Sequence, residues 1–107
     1  MKHERDFQPV VIKALKERFP GCIVLKNDPA YLQGIPDLSV FYKDRWAMLE
    51  VKDSADAPYR PNQEFYLKMC DDMSYGATIY PENMEDILND LQQTFEPRRK
   101  TRSARSK

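Results

Sequence analysis

A chain of 107 residues allows one compact domain, and 41% hydrophobic with 11% aromatic residues excludes the disordered classes. No apolar run approaches the roughly 18–20 residues that cross a bilayer, and the segment Met1-Lys-His-Glu-Arg-Asp6 lacks the apolar stretch of a secretory signal. Zero net charge hides an asymmetry: positions 98–107 hold six of the seventeen Lys/Arg and no acid, so positions 1–97 carry eleven bases against seventeen acids, a net of −6.

The expectation is a folded domain over 1–97 and a disordered basic tail over 98–107, of the kind that binds polyanions or stays solvated. Cys22 and Cys70 are too few and too far apart for a disulfide framework or a zinc knuckle. They read as buried thiols of a reducing cytoplasm. No membrane partner and no nucleotide cofactor is expected.

The first apolar pattern is helical, with Phe7, Val11, Ala14, Leu15 and Phe19 at three- and four-residue steps. Pro9 then belongs in or near the first turn, where its missing N–H costs little, and Pro20-Gly21 stops the helix. Residues 22–26 form a β-branched run and read as a strand. A loop, 27–36, holds two prolines and a glycine. Residues 37–42 alternate as a strand, Lys43-Asp44 breaks the pattern, and 45–52 form a second strand.

That second strand is apolar on both faces, as in a central strand covered on both sides. A polar loop, 53–61, leads to a helix with Phe65, Tyr66, Met69, Cys70 and Met73 on its inward face and Gly76 at its end. Residues 77–80 read as a strand. Asn83 is placed to cap a last helix with an inner stripe of Met84, Ile87, Leu88, Leu91 and Phe95, and Pro97 ends it. The order α-β-β-β-α-β-α describes an α/β domain: a mixed sheet covered by helices on both faces.

Chemistry concentrates on the hairpin. If Lys43-Asp44 is its turn, paired positions sum to 87, and Asp37 faces Glu50 as Val40 faces Ala47. Directly opposed residues have Cβ atoms about 4.5–5.5 Å apart, so two carboxylates would stand side by side. A three- or five-residue loop would shift the pairing by one. Adjacent carboxylates ionise together readily only with a cation between them. An all-oxygen site of this kind suits Mg²⁺ or Mn²⁺.

Lys52 projects from the same face as Glu50 and can orient a water or stabilise charge on a phosphate. The backbone carbonyl of Val51 can complete the coordination. A random Asp–Glu–Lys triple would be an ion pair at a strand end beside a loop Asp. A Glu and a Lys within an apolar central strand need a partner or a metal. Trp46 and Met48, on the face of Glu50, read as core.

Gly34-Ile35-Pro36-Asp37 followed by Glu50-Val51-Lys52 resembles the signature of the PD-(D/E)XK nucleases. It resembles more narrowly the VRR-NUC group and phage Holliday-junction-resolvase-like nucleases. The resemblance covers residues 4–95, including the element order and Gln63, which stands where that group has a Gln opening the next helix. It implies a restriction-endonuclease-like αβββαβα core and a nuclease using Mg²⁺ or Mn²⁺. In that reading Asp37 and Glu50 bind the metal, Lys52 is catalytic, and Gln63 hydrogen-bonds either the metal-bound water or the lysine.

It also implies an acid on the first helix near the metal, and Glu4 continues the inward stripe of Phe7, Val11 and Leu15. Cleavage of Holliday-junction or other branched DNA in recombination, repair or phage DNA processing follows, by a homodimer. Two other readings stay open: a flap, single-strand or nicking nuclease, and a non-catalytic DNA-binding module on the same fold. Lys26, Arg60 and the tail residues Arg98, Arg99, Lys100 and Arg102 are candidates for phosphate contacts. Tyr59 can stack on or clamp nucleic acid. His3, the only histidine, leaves no second imidazole for a histidine-based metal nuclease.

Overall fold

The structure, a computed structural model, describes residues 4–97, with side chains from Asp6 onward. Its elements are α1 (Glu4–Arg18), β1 (Ile23–Lys26), β2 (Leu38–Tyr42), β3 (Arg45–Val51), α2 (Gln63–Met73), β4 (Gly76–Ile79) and α3 (Met84–Phe95), with a 3₁₀ turn (Pro81–Asn83) before α3. The four strands form one sheet in the order β1-β2-β3-β4. β1 and β3 lie antiparallel to β2, and β4 runs parallel to β3, so the sheet is mixed. Among the described residues no helix is long and apolar enough to cross a membrane.

Alternation along β3 divides the interior in two. Ala47, Leu49 and Val51 project to one side with Leu38, Val40 and Ile79, all fully buried. There they meet Phe7, Val11 and Leu15 of α1 and Ile87, Leu88, Leu91 and Phe95 of α3 in one apolar cluster. The inner stripes of both helices are those the periodicity predicts. Phe19, Tyr42 and Phe95 close one end of this core, with ring centroids 5.1–5.7 Å apart. The other side of β3, with Met48 and Glu50, faces α2, as does Lys52 directly after the strand. Among the described residues helices therefore lie on both faces, two on one and one on the other.

Several local expectations are corrected. The first strand begins at Ile23, and Cys22 before it is half-buried, packed at the margin of the core. Pro9 lies deeper than the first turn because α1 already begins at Glu4, and its ring sits on the exposed side. Gly76 opens β4 instead of ending α2. A Cβ there would lie 2.5 Å from the Leu67 carbonyl oxygen and 2.9 Å from the Asp71 nitrogen, so only glycine lets β4 pass this close beneath the helix. Asn83 makes no side-chain cap to α3. It closes the 3₁₀ turn, accepting from the Tyr80 N–H and donating to the Thr78 carbonyl.

Trp46 and Met48 lie outside the apolar core, half-buried on the α2 face. The largest correction concerns α2. Its buried residues are Gln63 and Cys70, while Phe65, Met69 and Met73 are 60%, 41% and 63% exposed. The helix is rotated away from its apolar stripe because Gln63 is anchored to polar partners on β3.

Candidate functional site

The β2–β3 hairpin turns on Lys43-Asp44, with Tyr42 opposite Arg45 and Val40 opposite Ala47, the register in which paired positions sum to 87. No glycine is present, and Lys43 supplies the positive φ (57°) that the tight turn requires. Continued past Leu38, this register sets Asp37 against Glu50 and Pro36 against Val51.

Backbone directions at the end of β3 follow from its parallel neighbour. The N–H groups of Met48 and Lys52 donate to the Tyr75 and Ile79 carbonyls, so the polar groups of Val51 point the other way, toward β2. Val51 meets Pro36 there, which has no N–H to offer. The Asp37 carboxylate takes the Val51 N–H at 2.8 Å. The carbonyl of Val51 has no ladder partner among the described residues.

Glu50 is 1% exposed and Lys52 4%. The Lys52 ammonium stands 3.4 Å from Glu50 Oε2 and donates to Gln63 Oε1 at 3.0 Å. Gln63 Nε2 donates to Glu50 Oε2 at 2.8 Å, and the Arg60 N–H donates to Gln63 Oε1 at 2.7 Å. One amide thus bridges both charges and receives a third group from the loop. The ring of Tyr59 covers the ammonium, 5.5 Å from its centroid, and its hydroxyl hydrogen-bonds Thr78, which pairs with Glu50 on β4.

Asp37 is half-buried, and that burial pushes its carboxyl above the ordinary value. The Val51 N–H, the Lys52 charge, a hydrogen bond with Glu50 and the Arg60 charge act against it. Two neighbouring carboxylates repel each other when both are ionised, and a divalent cation between them offsets that repulsion.

Asp37, Gln63 and Arg60 also border a groove of about 530 Å³, walled on its other side by Pro29, Gly34 and Ile35. Gly34 (φ 94°) lies against the start of α2: a Cβ on it would fall 2.5 Å from the Asn62 Cβ. Asn62 is itself left-handed, with φ 71°. The Gly-Ile-Pro-Asp turn and the entry to α2 are fitted to each other here.

The structure therefore brings Asp37, Glu50, Lys52, Gln63 and the Val51 carbonyl together, with Arg60 at the rim. It does not bring Lys26, which pairs with Leu38 and so projects from the α1/α3 side of the sheet. Glu4 is the first residue of α1, and its side chain lies outside the described residues, as do Arg98, Arg99, Lys100 and Arg102. Among the described residues no three His, Cys, Asp or Glu side chains group as a metal cage.

Sequence reasoning missed Asn27. Its N–H donates to the Asp37 carbonyl and its amide nitrogen to the Pro36 carbonyl, while its side-chain oxygen accepts from Ser39 Oγ. These bonds pin the turn that carries Asp37. An Asn directly after a strand was the signal, but it reads as any loop residue. Neither a protein-family model nor a curated protein sequence matches the chain.

Proposed function

We propose that the chain is a divalent-metal-dependent DNA nuclease with a restriction-endonuclease-like core, acting on branched DNA as a pair of copies. The observation that carries the reading is the buried Glu50–Gln63–Lys52 cluster beside Asp37, on one sheet face at the edge of an open groove. A buried ion pair is a poor source of stability, since the desolvation of two charges offsets their attraction. Its retention here is better explained by chemistry.

The donors fit Mg²⁺ or Mn²⁺. Asp37 and Glu50 would hold the ion as oxygen ligands, with the Val51 carbonyl aimed toward the same place and Glu4 a further candidate. When bound, such an ion polarises a phosphoryl oxygen and acidifies its water. The chain's own residues do the rest. Lys52 provides a fixed positive charge beside the carboxylates, suited to a phosphorane-like transition state or an attacking water. Gln63 orients the ammonium through its oxygen and holds Glu50 through its nitrogen. Arg60 offers a phosphate contact at the groove mouth, and the basic residues of 98–107 supply the positive charge that an acidic domain needs near DNA.

The test is cleavage of a labelled four-way junction, a flap and a plain duplex in Mg²⁺, Mn²⁺ or EDTA, with Asp37→Asn and Lys52→Ala in parallel. Metal-dependent paired cuts on the junction, lost in both variants, are the expected result. Cuts on flaps or single strands would keep the site and change the substrate. Folded, DNA-binding protein that cuts nothing would end the enzyme reading and leave a binding module.

A further inference from the structure

An apolar surface remains outside both layers of the fold. Ile23 pairs with Phe41 and Phe41 with Trp46, so these three form one cross-strand row on the α2 side of the sheet. Leu25, Ser39 and Met48 form the next row. α2 lies over β3 and β4 and leaves the β1–β2 part of this face uncovered: Ile23 is 58%, Leu25 50% and Phe41 40% exposed.

Helical phase supplies a wall for this floor. Gln63, Leu67 and Cys70 point at the sheet, and Glu64, Leu67, Lys68 and Asp71 border the cleft toward Tyr59 and Gly76, on the β4 side. The opposite flank, toward β2 and β1, carries Met69 and Met73, with Phe65 above them. The result is an apolar step of Ile23, Leu25, Phe41, Met69, Met73 and Phe65.

These six residues expose on the order of 600 Å² together, at or beyond the largest apolar patch usual on a monomer. A standard interface takes about 800 Å² per partner, core and polar rim included. Lys68 borders the step beside Phe65 and Met69, but Glu64 and Asp72 stand with it, so this rim offers phosphates no net positive charge. It also borders an edge strand, β1, whose outward apolar side chains are the kind that natural sheets cover.

We propose that this face is the contact between two copies of the chain. The exposed area matches the core of one such interface, and the step has a floor and a wall that a second copy can fill reciprocally about a two-fold axis. Because the surface lies on the same sheet face as Asp37 and Glu50, toward the other end of the hairpin, association also sets two candidate sites in fixed relation. That consequence rests on the nuclease reading; the association itself does not.

The experiment is the mass of the full chain in solution, by light scattering across micromolar concentrations, for wild type, Ile23→Lys, Met73→Lys and Asp37→Asn. Both lysines fall at exposed positions on different elements, and circular dichroism verifies the fold of each variant. The expected result is twice the monomer mass for wild type and Asp37→Asn, and the monomer mass for both lysine variants. On a junction, the lysine variants should make single nicks where wild type makes paired cuts. A monomeric wild type overturns the proposal and leaves the face to a different protein. Dimers that survive both lysines overturn it as well. If the mass pattern holds and no DNA is cut, the nuclease reading alone fails.

Discussion

Gln63 holds Lys52 with its amide oxygen, at 3.0 Å, while its amide nitrogen holds Glu50 at 2.8 Å. Gln63→Ala removes both bonds from a buried carboxylate and ammonium that stand 3.4 Å apart. Loss of hydrogen bonds to buried charged groups costs about 1–3 kcal/mol. A fall of that size in urea-unfolding free energy is expected, together with reduced cleavage in the junction assay. Unchanged stability would mean that water replaces the amide without penalty.

That relation explains why α2 was the least legible element. Phe65, Met69 and Met73 recur at helical spacing, and periodicity weighs every apolar residue as a vote for burial. The phase is set instead by one polar residue that must reach two charges at the end of β3, Glu50 within it and Lys52 just after it. Asp37, Glu50 and Lys52 were legible for the opposite reason: strand alternation and a two-residue break allow few registers, and each fixes which side chains meet. The partner of Gly34 was not legible, because nothing local to 27–36 shows that Asn62 packs against it.

Two left-handed glycines separate conformation from contact. Gly21 (φ 91°) has open space where a Cβ would go, whereas at Gly34 (φ 94°) that atom meets Asn62 at 2.5 Å. Gly21→Ala pays only the left-handed backbone cost, about 1–2 kcal/mol. Gly34→Ala adds a collision with a side chain and backbone that are themselves constrained, and overpacking of this kind costs a further ~1–3 kcal/mol. Denaturant midpoints of the two variants should rank accordingly, with Gly34→Ala lower. Equal midpoints would show that the loop yields freely.

Divalent cation should stabilise the fold through the same carboxylates that the nuclease reading assigns to it. At ten times its dissociation constant a ligand that binds only the native state adds about 1.4 kcal/mol. For a domain of this size that corresponds to a rise of roughly 5–10 °C in melting temperature. Mg²⁺ or Mn²⁺ should produce such a rise in wild type and not in Glu50→Gln, measured by thermal unfolding against an EDTA control. A rise of equal size in the variant would move the ion elsewhere.

Asp37 gives a pH dependence of opposite sign to the usual stabilising carboxylate. Its pKa is raised by burial, so the folded chain holds the proton more tightly than the unfolded chain does. The contribution is fully favourable below the ordinary value of 3.8 and is lost as pH rises through the folded value. Without divalent cation, neutral pH therefore leaves a half-buried carboxylate against Glu50. Asn at this position keeps an oxygen for the Val51 N–H and places an N–H donor toward Glu50. Asp37→Asn should accordingly melt higher than wild type at pH 7 in EDTA, and the gap should narrow as pH falls toward 4. Added Mg²⁺ should narrow it from the other side, by stabilising wild type alone. A variant that is less stable than wild type at pH 7 in EDTA would show that the charge of Asp37 is already compensated without a metal.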